Sequence, residues 1–284
     1  MIIAKTIASV RTQVKEWKRD GLTVALVPTM GYLHEGHASL IDKAAEMCDK
    51  VVASDFVNPT QFAPDEDLEA YPRDFASDCE LLTKHGCDMV FCPSVDEMYP
   101  DGGKTDTYVE ILNDMPKGLC GRTRPTHFRG VCTVVSKLFN IVTPDMAFFG
   151  QKDAQQLAII RRMAHDMSYG IEIVGCPIVR EDDGLAKSSR NVYLNGDRRR
   201  AARVLSRSVA LGQKLIADGE KDAKKIVAEM SALIEAEPLA EIDYVTAVNN
   251  LDLAPVDTIS GSVLIAMAVF IGKTRLLDNF VVEV

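Results

Sequence analysis

Short apolar runs alternate with amphipathic stretches over the first 180 residues of the chain. A continuous apolar run predicts a strand that is buried on both faces, and apolar residues that recur every three to four positions predict a helix. The predicted strands cover residues 22–28, 51–57, 88–92, 107–112, 146–149 and 171–179. The predicted helices cover residues 37–49, 74–84, 131–142 and 154–167.

This alternation predicts an α/β fold with a doubly wound, Rossmann-like parallel sheet, because parallel strands are joined by right-handed crossovers. Beyond residue 180, two predicted helices precede two predicted strands, which is typical of a smaller α+β domain. The helices cover residues 198–217 and 221–236, and the strands cover residues 242–248 and 263–270. We therefore expect one domain over residues 1–180 and a smaller one over residues 181–284.

The composition argues against several classes of protein. The 284 residues are 47% hydrophobic and 26% charged, which is typical of a globular protein. The net charge of -9 argues against a nucleic-acid-binding protein, which needs a basic face. The longest apolar run, residues 263–271, is too short to span a bilayer, and the N-terminal segment lacks a secretory pattern. The sequence thus predicts a cytoplasmic protein that binds neither nucleic acid nor membranes.

The seven cysteines are scattered, odd in number and without a CxxC pair. This spacing predicts buried thiols in a reducing compartment, and neither a disulfide framework nor a protein-bound metal site.

The strongest chemical signal is PTMGYLHEGH, which begins at the end of the first predicted strand. Gly31 and Gly36 permit a tight turn and a close approach of a ligand to the backbone. His34 and His37 are three residues apart, so they share one face of a helical turn. A helix N-terminus attracts anions, and two imidazoles there predict a site for nucleotide phosphates. The alternative interpretation is a structural turn that happens to carry two histidines.

Three further loops carry polar groups directly after predicted strands. Residues 187–190 combine two cations and two hydroxyl groups, which suits phosphate. The segment FFGQKDAQQ brings Lys152 to the end of another strand, and FVNPTQF brings Asn58 and Gln61 to a third. Because ligands bind beyond the carboxyl ends of parallel strands, we expect these loops to meet at one edge of the sheet.

An HxGH loop followed by a KMSKS-like loop resembles the nucleotidyltransferase superfamily. The segments PTMGYLHEGH, FVNPTQF, YPRDF, RPTHFRGV, FFGQKDAQQ and DGLAKSSRN, in this order, resemble the pantoate–β-alanine ligase family more specifically. The resemblance covers nearly the whole chain and implies an AMP-forming ligase of pantothenate biosynthesis, in the coenzyme A pathway. Pantoate would attack the α-phosphorus of ATP to give pantoyl adenylate and pyrophosphate, and β-alanine would then displace AMP. The resemblance also implies Mg²⁺ on the ATP phosphates and a homodimer.

The resemblance also assigns residues. It implies that His37, the family's general acid, stabilises charge at the reacting phosphate, helped by His34, Lys152, Ser188, Ser189 and Arg190. The residues expected to bind ATP are Met30, Gly31, Tyr32, Leu33, His34, Glu35, Gly36, His37, Gly150, Gln151, Lys152, Asp153, Val179, Lys187, Ser188, Ser189 and Arg190. Gln61 and Gln156 would bind pantoate, and Gln61 β-alanine as well. Gln151 and Lys187 depart from the commoner family pattern, and His127 receives no role.

Other functions remain open at this stage. A cofactor adenylyltransferase shares the HxGH loop, although FVNPTQF, GQKDAQQ and the second domain argue against it. A class I aminoacyl-tRNA synthetase shares both loops, but the acidic balance and the short chain disfavour it. A nucleotide-binding module without catalysis is disfavoured because the reactive residues are all present.

Overall fold

The computed structural model describes residues 1–63, 66, 68–102 and 105–284. These residues form two compact units. The first comprises Met1–Leu112, Thr123–Gln151 and Ile159–Pro177, and the second comprises Asn113–Arg122, Lys152–Ala158 and Ile178–Val284.

Six parallel strands, counted over the described residues, form the sheet of the first unit. They are β1 (Ile2–Ala4), β2 (Val24–Thr29), β3 (Lys50–Asp55), β4 (Met89–Phe91), β5 (Met146–Gly150) and β6 (Glu172–Cys176). The helices between them are α1 (Ile7–Arg19), α2 (Glu35–Met47), α3 (Phe75–Lys84), α4 (Val95–Met98), α5 (Cys120–Thr123), α6 (His127–Val142) and α7 (Ala154–Asp166).

The strand order is β1-β4-β3-β2-β5-β6. Ala25 and Val27 pack with Ile41 of α2 on one face of β2. Side chains alternate along a strand, so Val24 and Leu26 point to the other face, where α1 and α6 contact β2 and each other. The sheet is thus covered on both faces, and the predicted doubly wound α/β class is confirmed.

The order of strands in the sheet changes direction at β2, between β2 and β5. From β2 the order runs through β3 and β4 to β1, whereas β5 and β6 lie on the other side of β2. In sheets of this kind, ligands bind at such a switch point, outside the carboxyl ends of the strands. A ligand is therefore expected at the loops that follow β2 and β5.

The predicted strand at residues 107–112 is wrong. These residues, all described, form no strand. Val109 N–H donates to the hydroxyl of Thr133, which replaces a ladder hydrogen bond, and Leu112 is 83% exposed. The residues were predicted to form a strand from their local pattern, but no neighbouring strand is paired with them.

Two predicted boundaries also move. The helix predicted at residues 198–217 is two helices, α8 (Gly196–Ala202) and α9 (Val204–Ala217). They separate at Arg203, whose N–H bonds to the carbonyl three residues back, as in a 3₁₀ turn. The strand predicted to end at residue 179 ends at Cys176, because Pro177 has no N–H to donate to a ladder.

In the second unit, the described residues form an antiparallel three-stranded sheet in the order β7-β8-β9, with β7 at Ala240–Asn249, β8 at Ser262–Ile271 and β9 at Thr274–Glu283. Helices α9 and α10 (Ala223–Glu235) pack against each other, and their apolar faces share a core with the sheet. The predicted smaller α+β architecture is confirmed. The boundary at residue 180 stays a prediction.

Across the described ranges of the chain, no helix combines the length and the apolar character that crossing a bilayer requires.

Candidate active site

The loop that follows β2, residues 30–37, is held to the sheet at its start. The hydroxyl of Thr29 donates to the carbonyl oxygen of Ser54 at 2.6 Å and accepts the N–H of Gly31 at 3.2 Å. Gly31 has φ +77°, a left-handed conformation that glycine adopts without strain. Tyr32 follows with φ +51°, so this histidine loop makes its turn with two successive left-handed residues.

His34 and His37 cap helix α2 reciprocally. His34 is the N-cap, and its Nδ1 accepts the N–H of Gly36 at 3.1 Å. Nδ1 of His37, three residues on, accepts the N–H of His34 at 3.3 Å. This is the geometry of a capping box, with imidazole nitrogens in place of the usual oxygens. The two ring centroids are 4.1 Å apart.

The capping bonds select one tautomer for both rings. A ring nitrogen that accepts a hydrogen bond carries no proton, so the proton of each neutral imidazole lies on Nε2. His34 and His37 therefore hold two N–H donors at the positive end of a helix. A neutral imidazole stabilises developing negative charge by donating a hydrogen bond, without giving up its proton.

Gln61 is anchored in a buried polar cluster on the turn after β3. Its Oε1 accepts from Nδ2 of Asn58 at 3.0 Å, and Oδ1 of Asn58 accepts from the hydroxyl of Tyr99 at 2.9 Å. Nε2 of Gln61 lies 3.0 Å from Sδ of Met30, in the histidine loop. The predicted ATP loop and the predicted pantoate residue are thus in contact. The amide donor of Gln61 is the end that approaches this loop.

His127 and Arg124 hold the backbone of Gln61. Nδ1 of His127 lies 2.8 Å from the carbonyl oxygen of Gln61, and its Nε2 lies 3.1 Å from Nη1 of Arg124. Arg124 forms a two-pronged ion pair with Glu66, at 2.6 Å from each oxygen. Burial acts to raise the pKa of Glu66, but the hydrogen bonds and charge of Arg124 hold it below its ordinary value. The segment RPTHF therefore positions the turn that carries Gln61.

Gly150 and Gln151 lie at the carboxyl end of β5, the strand beside β2 at the switch point. The backbone there passes directly into a 3₁₀ turn, Gln151–Asp153, and then into α7. Their position in the first unit is the one predicted for a nucleotide-contacting loop.

In the second unit, Lys152 and Asp153 form an ion pair, with Nζ and Oδ2 3.5 Å apart. The carbonyl oxygen of Lys152 accepts from Nδ2 of Asn279, which is buried on β9. The neighbouring Gln155 has a structural role, since its amide bonds to the backbone of residues 115, 118 and 120. Gln156 is half-buried.

Val179 and Lys187 face each other across a hairpin. The N–H of Lys187 donates to the carbonyl of Val179 at 2.9 Å, and Glu181 N–H donates to the carbonyl of Leu185. The structure thus brings together two of the residues predicted to bind ATP. Ser188, next along, caps the 3₁₀ helix Ser189–Tyr193, and its hydroxyl accepts the N–H of Arg190 at 3.3 Å.

Two arginines outside the predicted site hold this hairpin. Arg199 bonds to Glu181 and to both oxygens of Asp183 at 2.8–2.9 Å. Burial acts to raise the pKa of Asp183, but the N–H of Leu185 and the Arg199 guanidinium keep it low. Arg180 pairs with the fully buried Asp278 at 2.8 and 2.9 Å.

Asn191 secures the end of the 187–190 loop. Its Nδ2 donates to Glu181 at 2.6 Å and to the carbonyl of Ala186 at 3.1 Å. No role for Asn191 or Arg199 was predicted from the sequence. Asn191 could have been noticed because it directly follows the predicted phosphate-binding residues. Arg199 could have been noticed because it is a cation that follows the acidic turn at residues 181–184.

The predicted site residues therefore fall into two groups. The first unit holds Met30, Gly31, Tyr32, Leu33, His34, Glu35, Gly36, His37, Gln61, Gly150 and Gln151, and the second holds Lys152, Asp153, Gln156, Val179, Lys187, Ser188, Ser189 and Arg190. Over the ranges that the structure describes, no cluster of three or more His, Cys, Asp or Glu side chains forms a metal-binding group.

Comparisons with known proteins agree with the resemblance that the motifs carry. The family model described as pantoate-beta-alanine ligase matches residues 2–281. A pantothenate synthetase from Enterococcus faecalis is 56% identical over 283 residues, covering 100% of this chain and 99% of the relative. One from Ruminiclostridium cellulolyticum is 56% identical and covers 97% of this chain and 96% of the relative.

Solved structures are also similar. The pantothenate synthetase of Thermus thermophilus has a TM-score of 0.93 at 40% identity, with 99% of both chains covered. The pantoate-beta-alanine ligase of Francisella tularensis, in complex with β,γ-ATP and β-alanine, has a TM-score of 0.79 at 31% identity. It covers 99% of this chain and 97% of its own.

Proposed function

Because the chain belongs to the pantoate-beta-alanine ligase family, we propose that it is an ATP-dependent enzyme that joins pantoate to β-alanine. A free carboxylate is a poor acylating agent, since its leaving group would be an oxide. Conversion to a mixed anhydride with AMP supplies a good leaving group. ATP and β-alanine are the two ligands named for the Francisella tularensis relative, which supports this pairing of substrates.

The reaction proceeds in two displacements. A carboxylate oxygen of pantoate attacks the α-phosphorus of ATP, and the bond from that phosphorus to the bridging oxygen breaks as pyrophosphate leaves. The amine of β-alanine then attacks the acyl carbon of pantoyl adenylate. AMP leaves with the oxygen that bridged phosphorus and carbon, and the amine loses a proton. Positioning and charge stabilisation can supply most of the acceleration.

The reciprocal capping of α2 by His34 and His37 is the observation that carries the proposal. It places two Nε2–H donors at a helix N-terminus, directly after the strand that borders the switch point. The negative charge of a triphosphate is stabilised both by the positive end of the helix and by these hydrogen-bond donors. We assign His37 to the charge that develops at the reacting phosphate and His34 to the neighbouring phosphates.

The remaining roles follow from chemistry and from the family resemblance. Gln61 presents its amide beside Met30, which suits a hydroxyl or carboxylate of pantoate and later β-alanine. Gln156 is assigned to pantoate. Lys152 supplies a point charge to phosphate, and Val179 offers backbone to adenine. Residues 187–190 add two cations and two hydroxyls for the phosphates.

Mg²⁺ is proposed as part of the substrate, MgATP. Among the described residues, no group of three or more His, Cys, Asp or Glu side chains could hold a metal ion. Mg²⁺ is commonly held by substrate phosphates together with few protein ligands. A cytoplasmic homodimer, and a nucleotide- and pantoate-binding domain over residues 1–180 with a lid domain over residues 181–284, complete the proposal.

The test is a product analysis with purified protein. AMP, pyrophosphate and pantothenate should form in equal amounts only when ATP, pantoate and β-alanine are all present. Formation of a stable adenylylated product without β-alanine would indicate an adenylyltransferase instead. ATP binding without release of pyrophosphate under any condition would contradict an enzymatic role.

A further inference from the structure

Beneath the histidine loop lies a carboxyl group that the reaction does not use. Asp78, in the first turns of α3, is 2% exposed. Its Oδ2 accepts the N–H of Tyr32 at 2.7 Å, and its Oδ1 accepts the N–H of Leu33 at 2.6 Å. These are successive amides of the left-handed turn that leads into His34. One carboxylate therefore holds the turn from which α2 and both histidines begin.

A second carboxyl group touches the first. Asp55, the last residue of β3, is hydrogen-bonded through its side chain to Asp78. A Cβ atom on Gly31 would collide with Oδ1 of Asp55 and would approach Oδ2 of Asp78, so both groups lie directly under the turn. Two carboxyl groups in hydrogen-bond contact cannot both be ionised at low energetic cost, so one proton is shared between them.

The surroundings decide which group carries the proton. Both oxygens of Asp78 accept backbone N–H groups, which favours its ionised form. Asp55 is then the protonated partner and donates to Asp78. Burial, followed by the charge of Asp78, raises the pKa of Asp55 to about 7. Burial also raises the pKa of Asp78, although the N–H groups of Leu33 and Tyr32 oppose that shift.

The titratable groups around the pair add little compensating positive charge. From α3, the charge of Asp74 acts to raise the pKa of Asp78. Burial and the two carboxyls raise the pKa of the Cys79 thiol, and burial and Asp55 raise that of Cys92 after β4. Lys5, beyond β1, acts on Cys92 in the opposite sense. The loop itself contributes the two imidazoles, whose Nδ1 atoms are engaged in the cap.

We propose that Asp55 and Asp78 are positioning residues whose single shared proton holds the turn at residues 31–33 and thereby orients His34 and His37 toward ATP. Loss of that proton places two buried charges in contact, and the pair separates and releases the turn. The proposal rests on the proposed function, because the histidine loop is assigned to ATP there. It predicts that kcat/KM for ATP falls by about tenfold per pH unit above a midpoint near neutrality.

The test compares wild type with Asp55→Asn and with Glu46→Gln. Asparagine is isosteric with a protonated aspartic acid and donates to Asp78 at every pH. Glu46 is an exposed carboxylate near the far end of α2, so its variant makes the same carboxyl-to-amide substitution away from the turn. Two quantities are measured from pH 5.5 to 9. They are kcat/KM for ATP and the hydrogen-exchange protection factor of a peptide containing Tyr32 and Leu33. A protection factor is used because it corrects for the intrinsic pH dependence of hydrogen exchange.

Wild type and Glu46→Gln should lose protection and kcat/KM together as the pH rises, whereas Asp55→Asn should keep both. Identical pH dependences of protection in wild type and Asp55→Asn would overturn the proposal, whatever the activity. Because hydrogen exchange needs no substrate, that result is separable from failure of the proposed function, which would appear as no AMP formation at any pH. Should Asp55→Asn fold poorly, wild-type protection that does not decline between pH 6 and 8.5 is sufficient to overturn the proposal.

Discussion

The backbone N–H of His34 donates a hydrogen bond to Nδ1 of His37 at 3.3 Å. The ring that we assign to catalysis is therefore also part of the helix cap that positions it. Substitution of His37 by alanine removes both functions at once. The two can be separated because glutamine at this position of a capping box also bonds back to the N-cap amide.

His37→Gln should keep the cap and lose the chemistry. We expect its free energy of unfolding to stay near that of wild type, while its rate of AMP formation falls by about 10²-fold or more. His37→Ala should lose activity to a similar extent and also about 1 kcal/mol of stability. The measurements are urea unfolding and an AMP-release assay.

His165→Gln is the control for both variants, because His165 lies on α7 with its side chain 85% exposed. Wild-type turnover in His37→Gln would remove the role assigned to this imidazole.

Gly31→Ala should be far more damaging than Gly21→Ala. Both glycines are left-handed, with φ +77° and +79°, so both variants carry the same backbone strain of about 1 kcal/mol. A Cβ atom at position 21 meets open space, whereas one at position 31 collides with Asp55. Overpacking of this kind adds about 1–3 kcal/mol. Equal losses in the free energy of unfolding of the two variants would show that the turn does not lie against Asp55.

Arg199→Ala should destabilise the second unit, and Arg200→Ala should not. Arg199 is a quarter exposed and pairs with Glu181 and Asp183, whereas Arg200 is 71% exposed and pairs with its helical neighbour Asp197. Removing Arg199 leaves two partly buried carboxylates without their cation, at a cost of about 1–3 kcal/mol.

The hairpin anchored by Arg199 leads to Lys187, so we also expect a higher KM for ATP in Arg199→Ala. Thermal unfolding and initial-rate kinetics measure the two effects. Indistinguishable behaviour of the two arginine variants would argue against this anchoring.

The stability of the protein should depend on pH through Asp55. Its pKa in the folded state is raised to about 7 from an ordinary aspartate value near 3.8. The stability associated with its protonated form is fully present below pH 4 and is lost as the pH rises toward 7. Asp55→Asn should therefore be more stable than wild type at pH 8, with a gain of up to about 1.4 kcal/mol per unit of the pKa shift. Denaturant unfolding at pH 5 and pH 8 measures this difference, which should be less than half as large at pH 5, because only the lower part of the interval between the two pKa values has then been crossed.

The fold class could be predicted from the sequence because its signals are local. The apolar runs of β2 and β3 and the amphipathic α6 each follow one period over their whole length. The segment at 107–112 had a strand-like pattern, but strand formation depends on a partner elsewhere in the chain. Residues 1–19 form β1 and α1, neither of which was predicted, because the pairing of β1 with β4 depends on residues far along the chain.

The histidine loop could be predicted from the sequence because its glycines and histidines all lie within a few consecutive residues after a strand. Asp55 and Asp78 could not, since they are 23 positions apart and meet only when β3 and α3 are packed. The one local signal was a carboxylate that ends the largely apolar run VVASD. His127 likewise gained its role from the carbonyl of Gln61, a backbone atom that no residue pattern identifies.

Oxygen transfer from pantoate to AMP tests the central claim most directly. Pantoate labelled with ¹⁸O in its carboxylate is incubated with ATP, β-alanine and the enzyme, and the AMP and pyrophosphate are analysed by mass spectrometry. Attack of the carboxylate on the α-phosphorus predicts one ¹⁸O atom in each AMP and none in pyrophosphate. Unlabelled AMP, or label in inorganic phosphate with release of ADP, would contradict an acyl-adenylate intermediate.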